Sequence, residues 1–290
     1  MENRRDVIKK IAAGLTTAMV LPALGSWEES KPPSSNPIRH SVSKWCYGFL
    51  SLAELCQVVK KIGFHAIDLA GPKEWSILKE HGVDSSMCNG AEIGLTDGWN
   101  DPKHHTVLVK NYLEHIDLVA KADYKNLICF TGNKNGMDAE TGLKNCVTGL
   151  KKIMGEAEKK GVIIQLELFN SKVNHPDYMA DNSAFGIELC KRLDSPNFKL
   201  LYDIYHMQIS EGDIISTIRQ HHQFFGHYHT AGVPGRNEID DTQELYYPAI
   251  MRAISETGFT GYVAQEFIPT GKTNEDKIKA LADAIRICTI

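Results

Sequence analysis

What this 290-residue chain lacks narrows it before anything else is read. Its seven cysteines (Cys46, Cys56, Cys88, Cys129, Cys146, Cys190 and Cys288) include no CxxC pair and fall short of the density of a stapled secreted scaffold, which excludes a thiolate zinc module and a disulfide framework. They read as reduced core residues. Positive charge is in deficit, with 32 Lys+Arg against 36 Asp+Glu and a net charge of −4. The chain therefore lacks the basic field that nucleic acid or an anionic membrane surface requires. No apolar run reaches the roughly 20 residues of a membrane-spanning helix; the one over residues 11–24 is too short. No Gly-rich phosphate turn follows the first strand-like segment, as a doubly wound dinucleotide-binding sheet would have.

What is present is ordinary globular material, 42% hydrophobic and 23% charged. At the N-terminus, Arg4-Arg5 precedes the apolar run, and Ala23-Leu24-Gly25 offers a small-residue cleavage site. This pattern predicts a twin-arginine export signal over residues 1–25, and hence a bacterial periplasmic location, or a cytoplasmic one if the signal is unused. Cleavage would remove four positive and two negative charges, taking −4 to −6, and leave no stable membrane span. Residues 26–37, SWEESKPPSSNP, read as a flexible tether. The folded domain is then expected over 38–290, with no second break of that kind.

Within it, short apolar runs alternate with longer segments of helical periodicity, the βα signature. Strands are predicted over residues 40–47, 65–69, 84–88, 126–130, 162–169, 199–205, 224–230 and 262–267. Leu52, Leu55, Cys56, Val59 and Ile62 show the intervening helical spacing, as do Leu143, Val147, Leu150, Ile153, Met154 and Ala157. Gly63, Gly82, Gly161 and Gly258 stand just before strands, where helices end. Eight such units in one α/β domain predict a single (β/α)8 TIM barrel, with its chemistry at the C-terminal ends of the strands.

The last four predicted strands each finish near a metal-ligating side chain: Glu167 in QLELFN, Asp203 in LYDIYHMQ, His229 in GHYHTAG and Glu266 in AQEFIPTG. Any one of these acids could cap a helix or pair with an arginine, and a lone His229 could be a hydrogen-bonded core histidine. One donor per successive unit, all at the same end, predicts a shared divalent cation, Mn2+ or Mg2+ by the hardness of the donors. An acid within an apolar strand is otherwise costly to bury.

Residues 162–271 resemble the hydroxypyruvate isomerase branch of the xylose-isomerase-like barrels, which includes the ketose 3-epimerases. The most specific part is HYHTAGVPGRNEIDDTQELYYPAIMRAISETGFTGYVAQEF, with its AGxPGR and YYP elements. The resemblance implies metal ligation by Glu167, Asp203, His229 and Glu266, and acid/base roles for Glu167 and Glu266. It also implies substrate contact by His206 and Arg236. Histidine at position 229 follows the epimerase relatives, where the hydroxypyruvate isomerase branch often carries glutamine. Lys172 and His175 fall in the loop expected to face the substrate, and Trp45, Phe49 and Trp99 are candidate pocket walls.

The chemistry implied is interconversion of a small hydroxyketo acid or sugar, such as hydroxypyruvate to tartronate semialdehyde. One carboxylate removes a proton beside a carbonyl, the other returns it, and a cation stabilises the enediolate between. The alternatives are a ketose 3-epimerase or keto-sugar lyase on the same site, a metal-dependent phosphodiesterase of the endonuclease IV type, or a non-catalytic sugar-binding barrel. Net charge opposes the phosphodiesterase, and a binder has no need of two opposed carboxylates. The expected partner is a small carbonyl or sugar substrate; homo-oligomerisation is left open.

Overall fold

Eight parallel strands close into one barrel in the order β1 to β8, each bonded to its neighbours in sequence and β8 to β1. The structure is a computed structural model that describes residues 38–290; the signal and tether expected over 1–37 lie outside the described residues. The strands are β1 (Arg39–Ser43), β2 (Ala66–Ala70), β3 (Asp84–Cys88), β4 (Asn126–Cys129), β5 (Ile163–Glu167), β6 (Phe198–Asp203), β7 (Phe225–Thr230) and β8 (Tyr262–Gln265). The helices are α1 (Leu52–Ile62), α2 (Trp75–Glu80), α3 (His105–Lys121), α4 (Ala139–Lys160), α5 (Ser183–Leu193), α6 (Ile204–Ser210), α7 (Ile214–His221), α8 (Tyr247–Glu256) and α9 (Asn274–Cys288). No helix of the described residues is long and apolar enough to cross a membrane. The predicted (β/α)8 architecture is the one observed.

Local chemistry sets the helix limits. At α1, Ser51 accepts from the Glu54 amide while Glu54 reaches back to the Ser51 amide, satisfying two of the free donors at a helix start. Gly63 ends the helix at φ +110°, a conformation that other residues adopt only at a cost. The apolar faces of α1 and α4 are buried at Leu55, Cys56 and Val59, and at Leu143, Leu150, Ile153, Met154 and Ala157. All seven cysteines are buried free thiols.

Five strands, β1, β4, β5, β6 and β8, end earlier than predicted, and the differences at β1 and β6 shape the mouth. The chain leaves β1 at Ser43 and forms a 3-10 turn over Lys44–Tyr47, which places Trp45 on the rim. The sixth strand stops at Asp203, whose Oδ1 accepts the His206 amide at 2.9 Å and so starts α6 at once.

Register shifts mark β2 at Asp68 and β6 against β7 beside Gly226. Such bulges re-aim side chains. Leu69, next to Asp68, has φ +59°, outside the range a leucine normally occupies.

Candidate metal centre

Glu167 ends β5, Asp203 ends β6, His229 lies near the end of β7, and Glu266 follows β8 by one residue. The barrel thereby aims four consecutive strand ends at one point. Each side chain offers one donor atom, and the four atoms lie within 4.8 Å of one another, all buried. His229 Nδ1 stands 2.7 Å from Glu266 Oε2, 3.1 Å from Glu167 Oε1 and 3.9 Å from Asp203 Oδ2. Three carboxylate oxygens and one imidazole nitrogen, buried and convergent, make a donor set that suits a hard divalent cation.

Arg236, in the PGR turn after β7, donates from Nη2 to Glu266 Oε2 at 2.5 Å and stands 3.5 Å from Asp203 Oδ2. Its guanidinium lies over the rings of Trp45 and Tyr205, with centroids 5.1 and 5.4 Å away. The Trp45 indole donates to Glu266 Oε1 at 2.7 Å. Glu266 is thus held from both oxygens by groups that favour its charge, whereas Glu167 meets only His229 among them.

This asymmetry shows in proton affinity. Burial pushes Glu167 up to about 7 against the opposing pull of His229. Burial likewise lifts Asp203 to about 6, although Arg236 opposes the rise. Burial acts to raise Glu266 too, but the His229 and Arg236 charges and the bonds from His229 and Trp45 outweigh it and hold the carboxyl well below its usual range. For His229 burial acts to lower the value, yet Glu266, Asp68 and Glu167 hold the imidazole well above it. Without a cation, the two glutamates of the cluster thus differ in proton preference, Glu167 holding its proton more readily than Glu266.

Above the cluster opens a cavity of about 370 Å³. Glu167, Glu266 and Arg236 reach it, together with Trp45 and His175, while Leu69, Leu95, Ile128, Phe130 and Phe169 supply an apolar wall. His175 lies on Phe169 with centroids 4.0 Å apart.

His206 is fully buried beside the cluster. Its Nδ1 takes the Asn170 amide at 2.6 Å, and its Nε2 lies 3.7 Å from Asp203 Oδ2 without a hydrogen-bond partner. Burial, with Arg236 nearby, holds the ring well below the usual histidine value. Lys172 is not brought to the cavity: its ammonium donates to the Ile209 and Ser210 carbonyls, where it serves the C-terminal end of α6. Trp99 is also absent from the wall, being packed in the core against Tyr112 with centroids 5.2 Å apart. Phe49 packs on Tyr47 and the Lys277 ammonium.

Sequence reading missed Asp68. This fully buried carboxylate on β2 takes Ser86 Oγ at 2.5 Å, faces His229 Nε2 at 2.8 Å and stands 3.0 Å from His227 Nε2. The signal was available, since Asp68 interrupts the apolar run AIDLA much as Glu266 interrupts its own. It also missed Asn170, which orients His206.

The sequence model described as the xylose isomerase-like TIM barrel matches residues 56–288. A protein of Danio rerio, provisionally named a hydroxypyruvate isomerase, is 33% identical over 127 residues, 44% of this chain and 46% of that relative. A 2-oxo-tetronate isomerase of Cupriavidus necator is 32% identical over 118 residues, 41% of this chain and 45% of its own length. The chain spans about half the length of the curated relatives it matches. Among solved structures, D-psicose 3-epimerase with D-tagatose from Clostridium cellulolyticum H10 superposes with a TM-score of 0.72 at 18% identity, covering 87% of this chain and 98% of that one. That likeness concerns the fold.

Proposed function

The chain belongs to the xylose isomerase-like TIM barrel family, and from that premise we propose that it is a divalent-cation-dependent isomerase of small hydroxyketo acids or sugars. The observation that carries this reading is that Glu167 and Glu266 open together on the cavity while sharing a donor cluster with Asp203 and His229. The names of the relatives from Danio rerio and Cupriavidus necator agree with it.

A substrate seated in the cavity would place the carbon beside its carbonyl between the two glutamates. One carboxylate takes the proton from that hydroxyl-bearing carbon and the electron pair moves onto the carbonyl oxygen; the hydroxyl proton passes to that oxygen as the hydroxyl carbon becomes the new carbonyl, and the other carboxyl returns a proton to the former carbonyl carbon. Glu167, Asp203, His229 and Glu266 would hold a divalent cation, which would stabilise the negative charge on oxygen. Arg236 and Trp45 fix the Glu266 carboxylate, while His206, buried behind Asp203, stands outside the cavity lining. The apolar wall excludes water from the reacting carbon. The twin-arginine pattern supports action outside the cytoplasm, which sequencing the N-terminus of the exported protein would test.

Returning the proton to the opposite face of the same carbon would make the enzyme a ketose 3-epimerase, a reading favoured by the histidine at position 229. Product analysis by NMR, with Mn2+ present, decides between them. Isomerised product from hydroxypyruvate or a four-carbon 2-oxo acid supports the isomerase. Epimer formation from ketohexoses alone replaces it with the second reading, and turnover of none contradicts both.

A further inference from the structure

Asp68 is buried in the barrel interior with no lysine or arginine of the described residues against it, so its cost must be met by polar partners. Those partners are Ser86 on β3 and His229 on β7, a strand separated from β2 by β1 and β8, with the His227 ring 3.0 Å away as a further neighbour. The contact therefore crosses the barrel instead of following the sheet.

Both strands are irregular where they take part. On β2 the register shifts on either side of Asp68, and Leu69 takes φ +59°. On β7 the shift falls at Gly226, after which His227 and His229 both approach Asp68. Irregular backbone of this kind persists where the surroundings impose it, and here it serves to aim the three side chains at one another.

Both His229 nitrogens face carboxylates, Nε2 that of Asp68 at 2.8 Å and Nδ1 those of the cluster. A cation at Nδ1 would take the place of a proton there and leave Nε2–H to donate to Asp68. Nδ1 is then the nitrogen turned to Glu167, Asp203 and Glu266. A carboxylate behind a ligating imidazole sets the tautomer and ring orientation and raises the basicity of the ligand.

We propose that Asp68 is the positioning residue of the metal centre, holding His229 by Nε2–H so that Nδ1 faces the cation. The inference rests on reading the four-residue cluster as a cation site. It assigns to the first half of the barrel a part in a centre whose direct donors all come from the second.

The test is Mn2+ binding to the full chain by calorimetry, with wild type, Asp68→Asn and Asp68→Ala. One Mn2+ per chain is expected throughout. Asp68→Ala should bind about 10- to 100-fold more weakly than wild type, and Asp68→Asn, which keeps an oxygen for Nε2–H, should fall between. A folded Asp68→Ala protein that binds Mn2+ within twofold of wild type overturns the proposal. So does a second Mn2+ in wild type that is lost in Asp68→Ala, since Asp68 would then be a direct ligand. Should the alanine variant fail to fold, Asp68→Asn and the wild type decide. Nitrogen-15 NMR of Zn2+-loaded wild type should find His229 protonated at Nε2, and protonation at Nδ1 overturns the assignment. If wild type takes up no Mn2+, the cation reading itself fails, a result distinct from unchanged affinity in the variants.

Discussion

The two halves of the barrel share a topology and differ in what they carry. Strands β5 to β8 each deliver one donor to the central cluster at or near their C-terminal ends, whereas β1 to β4 and their loops supply Trp45, Leu69, Leu95, Ile128 and Phe130 to the cavity. The second half thus gathers the donor cluster, while the first half supplies most of the apolar wall, with Asn89 and Glu92 as its polar part. The division has a physical sense: an apolar wall beside the carboxylates lowers the local dielectric and magnifies every electrostatic interaction across the cavity. Asp68 is the exception that ties the halves together.

The largest expected effect lies in the second half. Glu167→Gln and Glu266→Gln should each reduce turnover of the accepted substrate by about 100- to 10,000-fold, since each removes one of two proton-transfer groups. Steady-state kinetics check this, and two active glutamine variants would break the comparison outright.

Removal of the cation comes next. Because a ligand that binds only the folded state stabilises it, Mn2+ at 100 times its Kd should add about 2.7 kcal/mol and raise Tm by several degrees, and a chelator should reverse the shift. His229 and Glu167 both hold protons more tightly than usual, Glu167 up to about 7, so cation binding must release protons. Affinity should therefore rise with pH from 5.5 to 7.5, as calorimetry in buffers of different ionisation enthalpy would show.

In the first half the corresponding effect is on stability. Burial lowers His40, at the start of β1, from 6.5 to about 4. The unfolded chain binds this proton as pH falls below 6.5 while the folded chain resists until about 4, so stability declines across that window by up to roughly 3 kcal/mol. Denaturant unfolding should show this decline, and His40→Asn should flatten it.

Trp45→Phe sharpens the boundary between the halves. It keeps a ring under Arg236 but loses the bond to Glu266, and kcat/KM should fall about 10-fold. The smallest change belongs to Lys172→Ala, expected to leave kinetics within twofold and to lower Tm by a degree or two, because its partners are carbonyls at the end of α6. A large rise in KM would instead return Lys172 to the substrate.

The contrast between the halves also explains what could be read in the sequence. The barrel was legible because apolar period and terminal glycines agree from unit to unit, as at Leu55, Val59 and Gly63. Glu167, Asp203, His229 and Glu266 were legible as a set because each lies at a strand's C-terminal end, where the fold brings such residues together. Asp68 interrupts an apolar strand in the same way, but its partners lie across the barrel and depend on bulges in β2 and β7 that no local pattern announces. Lys172 misled for a related reason. Its loop does face the mouth, yet its ammonium is taken by α6, a helix that exists because Asp203 ends β6 early and caps the first turn beyond it.

The central claim is that Glu167 and Glu266 move a substrate proton within a cation-holding cluster. Its most direct test is deuterium incorporation from D2O into the carbon beside the carbonyl of hydroxypyruvate or of the ketose that the enzyme accepts, followed by proton NMR with Mn2+ present. Exchange is expected with wild type and lost in both Glu167→Gln and Glu266→Gln; exchange that persists in both variants at the wild-type rate would contradict the role of the two glutamates.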